Sequence, residues 1–163
     1  MNSVALIDYG SGNVHSAAGA LNEAARRAGL AIRVDITADP AAIADAARIL
    51  LPGVGHYADC AANLRARPGL VAALESAVLT RKTPFLGICV GMQLLADTGL
   101  EDGDTPGLGW IPGIVGPIAP GPGLRVPHVG WNSLAIARPH ALLTGLGPDP
   151  HAYFTHSYAF TPQ

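Results

Sequence analysis

Apolar and polar positions along this chain alternate between two rhythms. Val4 to Ile7 is a short apolar run of the kind that forms a buried strand. Tyr9-Gly10-Ser11-Gly12-Asn13 is a glycine turn leading into a helix from Val14 to Ala28, stopped by Gly29. Ile32 to Ile36 alternates as a second strand, Pro40 to Ala46 reads as a short alanine-rich helix, and Arg48 to Leu51 is a third strand ending in Pro52-Gly53-Val54-Gly55. Helical spacing of Ala, Leu and Val then runs from Tyr57 to Arg67 and from Leu70 to Thr80, split by Pro68-Gly69. Pro84 to Ile88 has the look of another fully buried strand, and Met92 onward has the spacing of an amphipathic helix. Strands alternating with helices in this way predict an α/β fold, a mostly parallel twisted sheet with helices on both faces. In such sheets the loops at the carboxyl ends of the strands form the site.

The second half follows other rules. Glycine and proline dominate from Gly103 to Gly123, but Trp110, Ile111, Ile114, Val115 and Ile118 are interleaved. That is too apolar for a disordered linker, so an ordered excursion with a short strand is expected. After Val126 to Asn132, the stretch Tyr153 to Phe160 reads as a strand alternating aromatic and polar residues.

Bulk properties narrow the class. A chain of 163 residues is read as one domain, 1–163, large enough to bury roughly 70% of its unfolded surface. Only 13% of its residues are charged, against about 25% in ordinary globular domains, so either both sheet faces are covered or some surface belongs to a partner. Net charge is −2 and the 10 Lys and Arg do not cluster, which argues against nucleic acid and membrane surfaces. Two cysteines, Cys60 and Cys89, make neither a disulfide framework nor a metal-ligand spacing, and a reducing cytoplasm fits them. The N-terminus lacks the pattern of a signal peptide, and no run reaches the roughly 18 apolar residues of a membrane span.

The candidate chemistry concentrates at Cys89. It sits on the expected strand-to-helix corner of Gly87-Ile88-Cys89-Val90-Gly91, where glycines two residues to either side let the backbone turn tightly. This is the pattern of a nucleophile elbow with a thiol in place of a hydroxyl. The following helix N-terminus aims free N–H groups at the sulfur, and the Val90 N–H is the natural first oxyanion donor. The plainer alternative is a buried cysteine acting as a small apolar side chain. The Pro52 to Gly55 loop ends the neighbouring strand, so the Val54 N–H is a second candidate donor; a simple turn is the alternative there. Gly10-Ser-Gly12-Asn-Val-His15 puts His where a dinucleotide fingerprint needs its third glycine. His151 and His156 lack a third metal ligand, so no metal site is expected.

Three segments, Ile7 to Asn13, Leu51 to Tyr57 and Gly87 to Leu95, resemble the signatures of class I, triad-type glutamine amidotransferase domains of flavodoxin-like fold. Two more, Pro127 to Asn132 and Tyr153 to Tyr158, are similar to segments of the glutaminase subunits of imidazole glycerol phosphate synthase, from histidine biosynthesis. The resemblance implies that Cys89 attacks the side-chain amide of glutamine through an oxyanion held by Val54 and Val90. Gly53, Gly55 and Gln93 would contact glutamine, and Ser157 and Tyr158 its amino-acid end. It implies no cofactor, and ammonia passing to a (β/α)8-barrel cyclase subunit in a heterodimer, with Asn13, Trp131, Asn132 and Tyr153 near that interface.

One departure matters. The family carries its catalytic His and Glu in a His-Pro-Glu motif near the C-terminus, and none of the six histidines here begins a His-x-Glu. The expectation is a chain truncated at its C-terminus, nearly inactive alone, with an exposed sheet edge. Competing readings are a catalytically dead scaffold subunit, another class I amidotransferase, or a cysteine hydrolase on a similar fold.

Overall fold

A computed structural model of the chain describes residues 2–163, which divide into two compact units. The first runs to Gly116 and takes in Phe160–Gln163; the second is Pro117–Ala159.

The first unit is built on a parallel four-stranded sheet. Its strands are β1 (Ser3–Ile7), β2 (Arg33–Thr37), β3 (Arg48–Gly53) and β4 (Phe85–Cys89), in the order β2-β1-β3-β4. The central strands β1 and β3 are buried almost throughout, as their apolar runs require. Helix α1 (Val14–Arg27) starts at Asn13, whose side chain accepts from the Ser16 N–H at 3.1 Å, and is followed by Gly29 at φ 66°. Its apolar stripe of Val14, Ala17, Ala18 and Leu21 packs on Val4, Leu6 and Leu50. Helix α2 (Pro40–Ala44) is capped by Asp39; α3 (Tyr57–Ala66) and α4 (Leu70–Glu75) follow, the last continuing as a π-helical turn over Ser76–Thr80.

Two expectations need correction here. The run from Pro84 to Ile88 is not fully buried: β4 is an edge strand, and Leu86 and Ile88 are 36% and 43% exposed. Nor does a long amphipathic helix follow. Helix α5 spans only Val90–Gln93, because the carbonyls a longer helix would use are taken by a returning segment. The N–H of Leu108 donates to Leu94 O at 2.7 Å, those of Trp110 and Ile111 to Leu95 O at 2.9 and 3.0 Å, and that of Gly109 to Ala96 O at 3.0 Å.

That returning segment is the ordered excursion. It contains β5 (Thr98–Gly99), β6 (Thr105–Pro106) and β7 (Gly113–Pro117), with β7 parallel and β6 antiparallel to β5. The second unit carries β8 (His128–Ser133) and β9 (His151–His156), an antiparallel pair in which Trp131 faces Tyr153 in register. The expected strand over Tyr153 to Phe160 is broken at Ser157 into β9 and β10 (Tyr158–Pro162), and β10 joins the β7-β5-β6 sheet. No helix among the described residues is long and apolar enough to cross a membrane.

Candidate active site

The carboxyl ends of β3 and β4 bring the central residues together. In the parallel register Gly53 stands opposite Cys89 and Pro52 opposite Ile88. Cys89 has φ 55° and ψ −122°, a conformation that side-chain-bearing residues rarely adopt, and it is exposed. A strained, exposed cysteine at a strand end leading directly into a helix is the expected elbow. The thiol can be approached from solvent, and Val90, the first residue of α5, is the next peptide along.

The tight turn is enforced by two glycines that face each other. A Cβ on Gly91 would overlap the Leu51 carbonyl, and one on Gly53 would overlap the Gly91 nitrogen. The two strand ends can approach this closely only with hydrogen at both positions.

Beyond Gly53, Val54 is 61% exposed and Gly55 has φ 112°. This loop is held from behind. Cys60 Sγ donates to the Val54 carbonyl at 3.5 Å, and Glu101 Oε2 accepts from the Tyr57 N–H at 2.8 Å. Glu101 thereby caps α3, whose own cap residue, His56, makes no side-chain bond to the helix. His56 Nε2 instead lies 3.2 Å from Asp102 Oδ2. The hydroxyl of Tyr9 lies under the loop, where a Cβ on Gly53 would come within 2.9 Å of it. Burial, followed by the neighbouring Cys60, pushes the Tyr9 phenol far above its ordinary range, and burial is also the largest influence raising the Cys60 thiol. Both groups therefore stay protonated at neutral pH.

Of the residues singled out from the sequence, Gly53, Val54, Gly55, Cys89, Val90 and Gln93 all lie on β3, β4, α5 and the loop after β3. Gln93 is half-buried at the end of α5. Asn13, in the same unit, serves α1 as its cap. Ser157 and Tyr158 lie in the second unit, where the Ser157 carbonyl accepts from the Ile118 N–H at 2.9 Å and the Tyr158 carbonyl lies 2.9 Å from His156 Nδ1. Trp131 and Tyr153, 73% and 57% exposed, meet edge to face at 5.7 Å, and Asn132 accepts from the Ser133 N–H. The dinucleotide-like glycines, Gly10 and Gly12, simply turn the chain with φ 90° and 132°. Sequence reading missed Tyr9, Cys60 and Glu101 as supports of the loop. Cys60 could have been found from its place one turn into the helix after Gly55; Glu101 reaches its partner across 44 residues and left no local signal.

Residues 5–163 match the family model for glutamine amidotransferase class-I. The chain is 55% identical over 161 residues to the imidazole glycerol phosphate synthase subunit HisH of Rhodospirillum rubrum, covering 98% of this chain and 75% of that one. It is 53% identical over 163 residues to the HisH subunit of Caulobacter vibrioides, covering 99% and 76%. A solved structure, a crystal structure of glutamine amidotransferase, superposes with a TM-score of 0.67 at 19% identity over 96% of this chain and 72% of that one, a likeness of fold.

Proposed function

Since the chain belongs to the class I glutamine amidotransferase family, we propose that it is the glutaminase subunit of imidazole glycerol phosphate synthase, acting in histidine biosynthesis in the cytoplasm. We read residues 1–163 as one amidotransferase domain. The observation that carries the reading is the register of Gly53 with Cys89, which sets an elbow thiol beside the Val54 loop.

The chemistry follows from that placement. Cys89 Sγ adds to the side-chain amide carbon of glutamine, and the Val54 and Val90 N–H groups take the charge on oxygen. The C–N bond then breaks; the thiol proton leaves with the nitrogen as ammonia, and a γ-glutamyl thioester remains on Cys89. Water cleaves the thioester to glutamate and restores the thiol. Gly53, Gly55 and Gln93 contact the substrate. No cofactor takes part.

Ammonia passes to a (β/α)8-barrel cyclase subunit in a heterodimer. An exposed aromatic pair such as Trp131 and Tyr153 is the kind of surface that anchors an interface, and Asn132 supplies a polar contact there. The test is binding of the purified chain to that barrel subunit by titration calorimetry. Saturable binding that weakens at least roughly tenfold in Trp131→Ala is expected; absence of binding by the unaltered chain would refute the assembly.

A further inference from the structure

The second unit holds a cavity of about 560 Å³, lined by residues of that unit, a size that suits a small organic ligand. Ile118, Leu124 and Val129 give it an apolar wall, and Arg125, His128, Asn132 and His156 are its polar side chains. No carboxylate lines it among the described residues. The acidic residue of this unit, Asp149, lies against His151, which pairs with Ser133 at the other end of the β8–β9 ribbon from His128 and His156. Arg125 is exposed and makes no hydrogen bond or ion pair among the described residues. Its charge therefore has no counter-ion within the unit.

The histidine pair has one consistent direction. His156 Nδ1 lies 2.9 Å from the Tyr158 carbonyl, which can only accept, so that nitrogen carries the proton. In the neutral ring Nε2 is then the acceptor, and His128 Nδ1, 3.0 Å away, donates to it. His128 Nε2 is left with a lone pair, 3.5 Å from Asn132 Nδ2. The Asn132 amide is held in that orientation because its Oδ1 accepts from the Ser133 N–H at 2.9 Å. Phe154 stacks on His128 at 5.0 Å and holds the ring plane. A proton added at His128 Nε2 thus faces the Asn132 N–H groups, in a cavity that also holds Arg125, and finds no acceptor among these side chains.

An anion is what such a set lacks. Arg125 offers a charged fork, protonated His128 a second charged donor, and Asn132 an amide N–H. That supply matches the acceptor oxygens of a phosphate monoester, which outnumber those of a carboxylate. We propose that this cavity binds a small phosphate monoester with an apolar body. Its phosphate sits on Arg125, His128 and Asn132, its body lies against Ile118, Leu124 and Val129, and binding takes up a proton at His128 Nε2. The site goes beyond the glutaminase reading and does not depend on it.

Phenyl phosphate is the probe, titrated calorimetrically into the full chain beside phenol, benzoate and inorganic phosphate. Buffers of different ionisation enthalpy report the protons taken up. Phenyl phosphate is expected to bind saturably, at least roughly tenfold tighter than each of the other compounds, with proton uptake. Arg125→Gln is expected to weaken it roughly tenfold to a hundredfold, the loss of a charge-assisted hydrogen bond, and His128→Gln to remove the proton uptake. Phenyl phosphate bound no better than phenol or inorganic phosphate would overturn the site, and benzoate bound as tightly would overturn its assignment to phosphate. Equal affinity in Arg125→Gln would place the binding elsewhere and overturn it too. Unchanged proton uptake in a folded His128→Gln would overturn the part given to His128; if that variant disturbs the ribbon, the exposed Arg125 decides.

Discussion

Gly53 and Cys89 are direct register partners at the ends of adjacent parallel strands, β3 and β4. Everything proposed for the site depends on how closely those two strand ends approach, and the approach is possible because Gly53 meets Gly91 without side chains. Gly53→Ala is therefore expected to destabilise the chain by about 1–3 kcal/mol, the usual cost of forcing atoms into a packed interior. Urea unfolding of the full chain measures it, and a loss below 0.5 kcal/mol, taken here as about the scatter of surface substitutions, would show that the two turns can move apart.

The elbow itself stores strain. At φ 55° and ψ −122°, Cys89 occupies a region that glycine enters freely. Cys89→Gly is expected to be more stable than Cys89→Ala by about 1 kcal/mol in urea unfolding, despite the greater entropy of glycine in the unfolded chain. The reverse order would mean that the surrounding backbone tolerates a side chain there without cost.

Tyr57 presents a hydroxyl that is buried without a hydrogen-bond partner among the described residues, and burial raises its phenol above the ordinary value. Removing such a group relieves a desolvation penalty. Tyr57→Phe should stabilise the chain by about 1 kcal/mol in the same urea assay. Removing Glu101, which caps α3 at the Tyr57 N–H, should do the opposite. Glu101→Ala is expected to lose about 1 kcal/mol, and Glu101→Gln, which keeps an acceptor oxygen, less than half of that.

The raised Tyr9 and Cys60 groups predict a pH profile. Their folded forms hold protons that the unfolded chain releases near the ordinary values of 10.0 and 9.0. Stability from these groups is fully present below about pH 9. Above it the unfolded state binds fewer protons than the folded state, so stability falls, by at most about 1.4 kcal/mol per pH unit for each group. Unfolding followed from pH 7 to pH 11 should show this decline, and Tyr9→Phe with Cys60→Ser should flatten it.

Much of this was legible in the sequence. The apolar runs at Val4 to Ile7 and Arg48 to Leu51 marked the two central strands, and Gly-x-Cys-x-Gly marked the elbow, because strand burial and tight turns are decided by neighbours in the chain. What escaped was set by distant partners. The apolar residues Leu94, Leu95 and Ala96 looked like a helix in continuation, yet their carbonyls are claimed by Leu108 to Ile111. Leu86 and Ile88 looked buried, yet among the described residues β4 has a neighbour on one side only. Cys60 and Glu101 support the Val54 loop through contacts that no periodicity announces.

The central claim is that Cys89 is a nucleophile for glutamine, and covalent labelling tests it most directly. The purified chain is treated with a glutamine-mimicking electrophile, with and without free glutamine, and the modified residue is identified by peptide mass spectrometry. Labelling confined to Cys89 and suppressed by glutamine is the expected result. Labelling that glutamine does not suppress, or that falls on Cys60 instead, would contradict the assignment of this site to glutamine.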